Sequence, residues 1–474
     1  MQLTLESYIQ KVKSNILKPE EVISHYLKKA QNAQGDYNAF IRFHEDYIKN
    51  HTIDPQSSLA WAPVAIKDNI LTKWYISSCA SRMLEKYVAP YSATCFTNLE
   101  KSWWVMIGKV NMDEFAMGTT NENSYFWPVT NPHGTNRVPW WSSGWLAAAV
   151  AADLCIAWLW TDTGWSVRQP AALCGVVWLK PTYGRVSRYG VQSMASSLDQ
   201  VWTITKTIAD AKILLSAIAW YDDKDAQSNK KADQKDREIP GQFVGKKRKI
   251  ALPKQCVAKG SWIDPDVRNQ IMTLVDSLRN VWWEVDEVDM PIMDYVVPIY
   301  YTLCPAEVST NMARFDGIRF GYQDDTMKYD DLPLYYDEVR SAAFGPEVQR
   351  RILLWTYVLS SAHYEWFYLK ALKARQKFIT DMEKVFTQYD LILTPTSPEV
   401  AWHIGEKSDD PLKMYLADLY TIPANLAGIP AISVPIGKVQ SKGELMPVGA
   451  QFMAPAWQES MLFAAGEVVE KIYG

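Results

Sequence analysis

The sequence predicts an α/β fold in which one mixed β-sheet lies between layers of helices. Three observations lead to this class. The chain has 474 residues, enough for one large α/β domain or for two or three smaller ones. Its composition, 48% hydrophobic and 22% charged, is that of an ordinary globular protein and excludes a disordered or collagen-like chain. Short apolar runs alternate with segments of helical periodicity, as expected for a sheet covered by helices.

Elements in the first half are predicted from periodicity. Apolar side chains recur at helical spacing over residues 4–33 and are interrupted by a Lys-Pro step, which predicts two helices. The run Pro-Val-Ala-Ile-Lys-Asp at 63–68 predicts a buried strand whose end carries Lys67. The alanine-rich residues 143–154 predict a helix, and residues 156–160 predict a strand that leads into a Thr-Asp-Thr-Gly turn.

The second half continues the alternation after a charged segment. Residues 222–240 carry almost no large apolar side chains, which predicts a surface loop. This loop is the best candidate for a boundary within the chain. We find no internal repeat and treat residues 1–474 as one domain. The later predicted elements are helices over 265–281 and 348–385 and strands over 249–253, 391–395, 431–435 and 448–453.

Charge and cysteine content exclude several classes of function. The formal net charge of −4 gives no global basic field, so contact with nucleic acid would need a local patch or a partner chain. Six widely spaced cysteines without a Cys-x-x-Cys pair argue against a zinc cluster or a disulfide scaffold. The chain starts without a secretory signal, and the apolar residues 145–160 are too short to span a membrane and include Asp153, so we expect a cytoplasmic protein.

The residues that could act as a catalytic base are few. Among six histidines, only His133 lies near the serine-rich region, and its Asn-Pro-His-Gly setting favours a turn residue without a catalytic role. Serine chemistry without histidine needs another base. A buried lysine can serve because desolvation lowers its pKa, and Lys67 at a strand end is the candidate.

Three segments together resemble the amidase signature family. They are Val-Ala-Ile-Lys-Asp-Asn-Ile around Lys67, the pair Ser142-Ser143, and Thr-Asp-Thr-Gly-Trp-Ser-Val-Arg-Gln-Pro around Ser166. The resemblance implies a relay in which neutral Lys67 accepts a proton through Ser142, reached by a cis peptide, while Ser166 attacks an amide carbonyl. It also implies that backbone N–H groups of Thr163, Gly164 and Trp165 hold the oxyanion, without metal or organic cofactor.

Further segments narrow the resemblance to one group in this family, the glutaminase subunits (A subunits) of tRNA-dependent amidotransferases. These segments are residues 111–118, 121–124, 314–319 and 347–352. The resemblance implies that Arg351 and Asp418 bind the α-carboxylate and α-amino group of glutamine, although Arg350 is an alternative to Arg351. It implies B and C subunits as partners, with ATP and Mg used by the partner, which also makes the main contacts to tRNA. The ammonia would convert Glu-tRNA(Gln) to Gln-tRNA(Gln), and this chain has no Gly-x-x-x-x-Gly-Lys-Ser/Thr loop for ATP.

Two alternatives stay open. The chain could be a free-standing amidase acting on another small amide, which would not need partner subunits. It could also be a catalytically inactive scaffold. Read one at a time, a lysine at a strand end or a Ser-Ser-Gly loop is usually structural, and a helix Arg or Asp usually belongs to a surface ion pair worth under about 1 kcal/mol. The functional interpretation depends on their occurring together and in order.

The tryptophan content is abnormal. The chain has 21 tryptophans and only 22 glycines, whereas a glycine content of about 7% would give roughly 33. We hypothesise that many of these tryptophans are glycine in the cell, as would follow if a gene that reads UGA as glycine were translated with UGA as tryptophan. Taken literally, indoles beside the oxyanion turn would weaken or misfold the enzyme; alternatively, the aromatic residues line a binding groove. The positions where the family pattern leads us to expect glycine are Trp61, Trp74, Trp103, Trp104, Trp127, Trp140, Trp141, Trp145, Trp160, Trp165, Trp178, Trp202 and Trp355.

Overall fold

A single mixed β-sheet runs through the molecule. The computed structural model describes residues 3–49, 54–118, 122–134, 136–138, 144–164, 168–233, 247–258, 262–323, 331–360, 363–406 and 416–474. Within these residues the sheet has eleven strands in the order β1-β3-β2-β4-β6-β5-β10-β11-β9-β7-β8. The strands are Phe40–Phe43 (β1), Pro63–Lys67 (β2), Val105–Val110 (β3), Ala157–Asp162 (β4), Val177–Lys180 (β5), Gln200–Thr205 (β6), Lys249–Pro253 (β7), Glu284–Val288 (β8), Leu391–Pro395 (β9), Ala431–Ser441 (β10) and Glu444–Met453 (β11).

Helices alternate with these strands along the described chain. Short 3₁₀ turns occupy Arg82–Leu84, Glu114–Ala116, Lys230–Asp233 and Pro291–Tyr295, and a π-helical turn spans Glu365–Leu369. The α-helices are Leu5–Lys13 (α1), Pro19–Asn32 (α2), Gln34–Tyr37 (α3), Glu45–Lys49 (α4), Thr94–Lys101 (α5), Gly144–Ala151 (α6), Arg168–Cys174 (α7), Ile208–Ile218 (α8), Lys254–Val257 (α9), Pro265–Asn280 (α10), Val296–Met312 (α11), Leu332–Ala343 (α12), Pro346–Leu359 (α13), Lys370–Phe386 (α14), Ile422–Leu426 (α15) and Glu459–Tyr473 (α16).

The central strands determine where a site can form. β2 pairs in parallel with both β3 and β4, and every residue of these three strands is buried. β4 pairs antiparallel with β6, so parallel and antiparallel ladders share one sheet. Because the carboxyl ends of parallel strands meet at the same edge of a sheet, the segments that follow β2, β3 and β4 come together.

The predicted fold class is confirmed, and so are most of the predicted elements. Both N-terminal helices occur, the first ending at Lys13 and the second beginning at Pro19 of the Lys-Pro step, and the strands over 249–253 and 391–395 occur as predicted. The helical stretch predicted over 348–385 is found as two helices, α13 and α14, with a π-helical turn before α14. Helix α13 ends at Leu359, because Ser360 has an extended ψ of 148° and its hydroxyl bonds to the carbonyl of Tyr357. No proline or glycine marks this break in the sequence.

The charged segment at 222–240 is described up to residue 233, and there two of its acids are buried. Asp222 accepts hydrogen bonds from the hydroxyls of Thr94 and Ser187, both at 2.6 Å. Asp225 forms an ion pair with Arg188 at 2.8 Å. These bonds hold the start of the segment against the body of the protein. None of the described helices is both long and apolar enough to cross a membrane.

Candidate active site

Lys67 is the last residue of β2 and lies at the edge where the parallel strands end. Its side chain is 0% exposed, and Nζ donates a hydrogen bond to the carbonyl oxygen of Thr161 in β4 at 3.2 Å. The ring of Trp160 lies beside the amine, with Nζ 3.9 Å from the ring centroid. The expected strand-end position of this lysine is therefore observed, and its amine is removed from water.

Burial determines the protonation of Lys67. Desolvation lowers the pKa of Lys67 to about 7, although the carboxylates of Asp162, Asp113 and Asp199 act in the opposite direction. The aromatic face of Trp160 also favours the charged form. A lysine with a pKa near 7 can be neutral at the pH of the cell, as a general base must be.

The turn after β4 is held by two buried carboxylates. The hydroxyl of Thr163 donates to Asp199, which also accepts the backbone N–H groups of Met194 and Ala195. The N–H of Gly164 donates to Asp162 at 3.0 Å. A contribution of this N–H to an oxyanion hole therefore requires Gly164 to exchange its bond to Asp162 for one to the substrate.

Gly164 also allows a close approach that other residues would prevent. A Cβ atom at this position would lie 2.6 Å from the ring and the hydroxyl of Tyr300 in α11. Such a distance is shorter than real Cβ contacts allow, so an alanine would push the turn and α11 apart. The turn is thereby packed directly against the helix that carries Tyr301.

Ser142 with its predicted cis peptide, Trp165 and Ser166 lie outside the described residues, as do Trp140 and Trp141. The relay between Lys67, Ser142 and Ser166 accordingly stays a prediction, and so does the oxyanion hole. The chain on either side of Ser166 is described: the turn at Gly164 lies before it in the sequence, and α7 begins two residues after it.

Arg168 in α7 holds the turn after β4 in place. Its guanidinium is fully buried, donates to the carbonyl oxygen of Gly164 at 2.6 Å, and lies 3.6 Å from the carboxylate of Asp162. It also donates to the carbonyl oxygen of Thr421 and the side chain of Asn425. One cation therefore connects the turn after β4 to the region around α15.

Arg351 and Asp418, predicted to bind glutamine, are both buried and interact electrostatically. Arg351 on α13 is 5% exposed and donates through Nε to Glu347 at 2.8 Å. Asp418 is 0% exposed, and burial raises its pKa well above the usual value, while the positive charge of Arg351 acts in the opposite direction. The alternative, Arg350, is 56% exposed and pairs with Glu347 on the surface. Of the two arginines, Arg351 is the buried one, so its assignment to glutamine stays the prediction.

Sequence reasoning missed two residues beside Asp418. The hydroxyl of Tyr301 donates to Asp418 Oδ2 at 2.7 Å. The side chain of Gln169 in α7 donates to the carbonyl oxygen of Ala417 and hydrogen-bonds to Asp418. Tyr301 stands in an apolar helix with no motif around it, so only the three-dimensional arrangement reveals it.

The remaining candidates add no further chemistry. His133 lies in a turn, and its ring nitrogen Nε2 is 3.0 Å from the carbonyl oxygen of Cys174. Burial lowers its pKa. In the described part of the chain, no group of three or more His, Cys, Asp or Glu residues could hold a metal ion.

A buried lysine at the end of a parallel strand, next to a carboxylate-braced turn that leads to a serine, fits a class of amide-cleaving enzymes. The sequence matches the amidase family over residues 21–463. The chain belongs to the amidase family, which confirms the resemblance noted in the sequence.

Relatives that match nearly the whole chain include A subunits of glutamyl-tRNA(Gln) amidotransferases. The chain is 43% identical to one of the A subunits, that numbered 2, of the glutamyl-tRNA(Gln) amidotransferase of Clostridium acetobutylicum, over 99% of both chains. It is 44% identical to the A subunit of the glutamyl-tRNA(Gln) amidotransferase of Methylacidiphilum infernorum, over 96% of this chain and 91% of that protein.

Solved structures agree with this comparison. The crystal structure of the glutamyl-tRNA(Gln) amidotransferase A subunit from Thermotoga maritima matches 99% of this chain and 94% of its own, with a TM-score of 0.81 and 38% identity. A 6-aminohexanoate cyclic dimer hydrolase shares the fold, with a TM-score of 0.82 at 20% identity and coverage of 100% of this chain and 97% of that one.

Proposed function

We propose that the chain is the glutaminase subunit of a glutamyl-tRNA(Gln) amidotransferase. It hydrolyses glutamine to glutamate and ammonia, and the ammonia converts Glu-tRNA(Gln) to Gln-tRNA(Gln). The full-length similarity to A subunits supports this assignment. The structural observation that carries it is the electrostatic interaction between the buried side chains of Arg351 and Asp418, with Asp418 also interacting with Asp162 at the end of β4.

The pair suits a free amino acid. Glutamine carries an α-carboxylate and an α-ammonium group, and each gains from a charged partner in a site without water. The guanidinium of Arg351 binds the carboxylate, and the carboxylate of Asp418, oriented by Tyr301, binds the ammonium group. The side-chain amide of glutamine then extends toward the turn at Gly164, which contacts Tyr300, the neighbour of Tyr301.

The bond-breaking steps follow from a neutral lysine. Lys67 takes the hydroxyl proton of Ser142 as Ser142 takes that of Ser166, and the Ser166 oxygen attacks the amide carbon of glutamine. The C–N bond breaks, the proton returns through the relay to the leaving nitrogen, and ammonia departs. Water then attacks the γ-glutamyl ester, giving its proton to the relay, and releases glutamate and free Ser166.

The other steps belong to partner subunits. ATP and Mg would be used by the B subunit, which also makes the main contacts to tRNA, and a C subunit completes the complex. This chain needs no metal or organic cofactor for the relay. We assign the reaction to the cytoplasm, where tRNA is aminoacylated.

Trapping the acyl intermediate tests the proposal. The holo-complex is mixed with glutamine, quenched in acid, and digested, and the peptide containing Ser166 is examined by mass spectrometry. We expect a γ-glutamyl adduct on Ser166 that is absent in Ser166→Ala and does not accumulate in Lys67→Ala. A complex that releases ammonia from glutamine without any adduct on Ser166 would contradict the relay.

The same preparation separates the two alternatives. If the chain alone hydrolyses small amides as fast as glutamine, and adding partner subunits with Glu-tRNA(Gln) changes nothing, it is a free-standing amidase. If neither glutamine nor any small amide acylates it, while the complex still assembles, it is a scaffold. Glutaminase activity that rises on addition of partners supports the proposed function.

A further inference from the structure

Glu114 is a buried acid outside the proposed relay and the proposed glutamine pocket. It follows β3 in a 3₁₀ turn and is 3% exposed. One carboxylate oxygen accepts a hydrogen bond from the hydroxyl of Ser81, and the other accepts the backbone N–H of Gly345 at 2.7 Å. Both oxygens of a buried acid are thus used to hold other segments of the chain.

Gly345 is the residue at which helix α13 begins. It is the N-cap residue and has no side chain with which to cap the helix itself. Glu114, which is 231 residues earlier in the chain, accepts the N–H of Gly345 itself and so anchors the residue that precedes the helix. A carboxylate at this end of a helix is also favoured by the helix dipole.

The absence of a side chain at position 345 is needed for this contact. A Cβ atom at Gly345 would lie 2.6 Å from the carboxylate oxygen of Glu114, which is too close for a real Cβ. The rings of Phe115 and Phe344, next to the two bonded residues, pack edge to face at 5.8 Å. The contact between the 3₁₀ turn and the start of α13 is therefore close-packed.

The start of α13 determines where Arg351 lies. Glu347 is in the first turn of the helix and accepts a hydrogen bond from Arg351 one turn later, at 2.8 Å. A contact path leads from Glu114 to Gly345, along the helix to Glu347, and from there to the guanidinium. Asp113, the neighbour of Glu114, acts electrostatically on Lys67.

We propose that Glu114 is a positioning residue that fixes the start of α13 and so holds Arg351 where it can bind the α-carboxylate of glutamine. The inference rests on the proposed function of Arg351. It assigns a role to an acid that the relay does not use.

The test measures glutamine binding separately from turnover. In a Ser166→Ala background, which cannot be acylated, glutamine is titrated into the complex by calorimetry with and without Glu114→Ala. We expect Glu114→Ala to weaken glutamine binding about tenfold, the loss typical of one charge-assisted contact held out of position. In the Ser166 enzyme, KM for glutamine rises by a similar factor while kcat stays within about twofold.

Three further variants separate positioning from general stability. Gly345→Ala displaces the carboxylate of Glu114 without removing it and should reproduce the rise in KM. If Glu114→Ala does not fold, Gly345→Ala is tested in its place. Glu114→Gln keeps an acceptor for Gly345 and should restore most of the affinity; it mimics the protonated acid, whose pKa burial raises to about 7. Asp210→Ala removes another buried carboxylate that accepts a backbone N–H at a helix start, that of Glu6 in α1, and should lower stability without changing KM.

The outcomes distinguish this inference from the function on which it rests. If glutamine does not bind in the Ser166→Ala background at all, the proposed function fails. If it binds, and Glu114→Ala and Gly345→Ala bind it equally well, only the role of Glu114 is wrong. Equal losses in Asp210→Ala would also overturn it, because the effect would then be one of overall stability.

A second and independent observation concerns the tryptophans. Fifteen described non-glycine residues have positive φ, and five of them are tryptophan, more than any other residue type. A bulky residue rarely adopts this conformation, which glycine adopts freely. The five are Trp61 (φ 59°), Trp74 (φ 70°), Trp103 (φ 61°), Trp282 (φ 68°) and Trp457 (φ 68°).

Two of these tryptophans end helices in positions that glycine normally fills. After α10, Trp282 N–H bonds to the carbonyl of Arg279, and Trp283 N–H bonds to that of Leu278, which is the Schellman arrangement with Trp282 at its left-handed residue. After α5, Trp103 N–H bonds to the carbonyl of Glu100 in the same way.

Another two lie in turns that demand positive φ. Trp74 is the third residue of a turn closed by the bond from Tyr75 N–H to the carbonyl of Thr72, the glycine position of a type II turn. Trp61 follows Ala60, and both have positive φ, as in a type I′ turn.

Several other buried tryptophans in the described residues have an indole N–H group that makes no hydrogen bond. Within the described residues, the indole N–H groups of five of them lie inside the protein without a hydrogen-bond partner, although buried N–H groups are almost always paired. These are Trp104, Trp158, Trp160, Trp178 and Trp202.

We infer that Trp61, Trp74, Trp103, Trp282 and Trp457 are glycine in the protein as the cell makes it. Trp282 and Trp457 were not among the positions that the sequence pattern indicated, so the backbone extends the hypothesis. The codons and the native peptides test it together. We expect UGA codons at the five positions and glycine in peptides of the protein isolated from its own cells; a UGG codon, or tryptophan in the native peptide, would overturn the inference at that position.

Discussion

In the proposed relay, the protonation of Lys67 determines whether the site can act on an amide. Its usual pKa of 10.5 would leave the amine charged and unable to accept a proton, and burial lowers that pKa to about 7. Because the neutral form exists above the lowered pKa, the active fraction grows as the pH rises through 7.

The pH profile of the glutaminase is the corresponding prediction. We expect kcat/KM for glutamine to rise about tenfold per pH unit up to pH 7 and to level off above it. Lys67→Arg, which keeps the positive charge at every pH, should abolish the activity. A profile that is flat from pH 5 to 9 would show that Lys67 is not the base.

Tyr301 provides a test of glutamine recognition. Tyr301→Phe removes the hydroxyl that donates to Asp418 at 2.7 Å. We expect KM for glutamine to rise about two- to tenfold, the effect of one hydrogen bond, with little change in kcat. Tyr295→Phe, at a residue that is 61% exposed before the same helix, is the control and should leave KM unchanged. An unaltered KM in Tyr301→Phe would argue against Asp418 as a ligand of the substrate.

The sequence identifies the residues that stand in linear motifs and misses those that act through space. Lys67 was found because its strand and its neighbours form a recognisable pattern. Asp199 and Tyr301 were not found, since their partners Thr163 and Asp418 are far from them in the chain. The bond from Gly164 N–H to Asp162 was not foreseen either, because a motif does not show which acceptor a backbone group takes.

The ends of the helices show how far single residues determine where an element stops. The six predicted strands all occur, because continuous apolar runs such as residues 391–395 leave few alternatives, but β1, β3, β5, β6 and β8 were not predicted. The break between α13 and α14 was not predicted either, because Ser360 leaves the helical conformation without any of the residues that usually stop a helix. The end of α10, in contrast, has the hydrogen bonds of a glycine-terminated helix with tryptophan in the glycine position.

Replacing that tryptophan should stabilise the recombinant protein. Trp282 is 76% exposed and has φ of 68°, so little packing is lost in Trp282→Gly and a conformational strain of roughly 1–2 kcal/mol is relieved. We expect a gain of about 1 kcal/mol in the free energy of unfolding, measured in urea. Trp366→Gly is the matched control, since Trp366 is 75% exposed but lies within the turn Glu365–Leu369. Glycine there should cost about 1 kcal/mol; a loss in both variants would contradict the inference from φ.

One buried cation joins the two halves of the molecule. Arg168 contacts Gly164 and Asp162 in the first half, and Thr421 and Asn425 in the second. The strand pairing of β5 with β10 crosses between the halves beside it. Arg168 and this strand pairing therefore link the first half of the chain to the second around the turn after β4.

Removing this cation should affect the whole protein. Arg168→Met removes the guanidinium that forms an ion pair with the fully buried carboxylate of Asp162, and we expect a loss of about 3–5 kcal/mol in the free energy of unfolding. Lys377→Ala, which breaks an exposed ion pair with Asp381, should cost less than about 1 kcal/mol. Similar unfolding curves for the two variants would mean that Arg168 does not hold the halves together.

The groups proposed for cleavage and those proposed for binding the amino acid lie far apart in the chain, and this has an evolutionary consequence. The groups assigned to cleavage come from residues 67–166, and the groups proposed to contact the charged ends of the amino acid, Arg351 and Asp418, come from the second half of the chain. Mutations in the later stretch can therefore exchange one amide substrate for another while the earlier stretch continues to cut the same kind of bond. Such an arrangement allows one fold to acquire new substrates while the reaction that it catalyses stays the same.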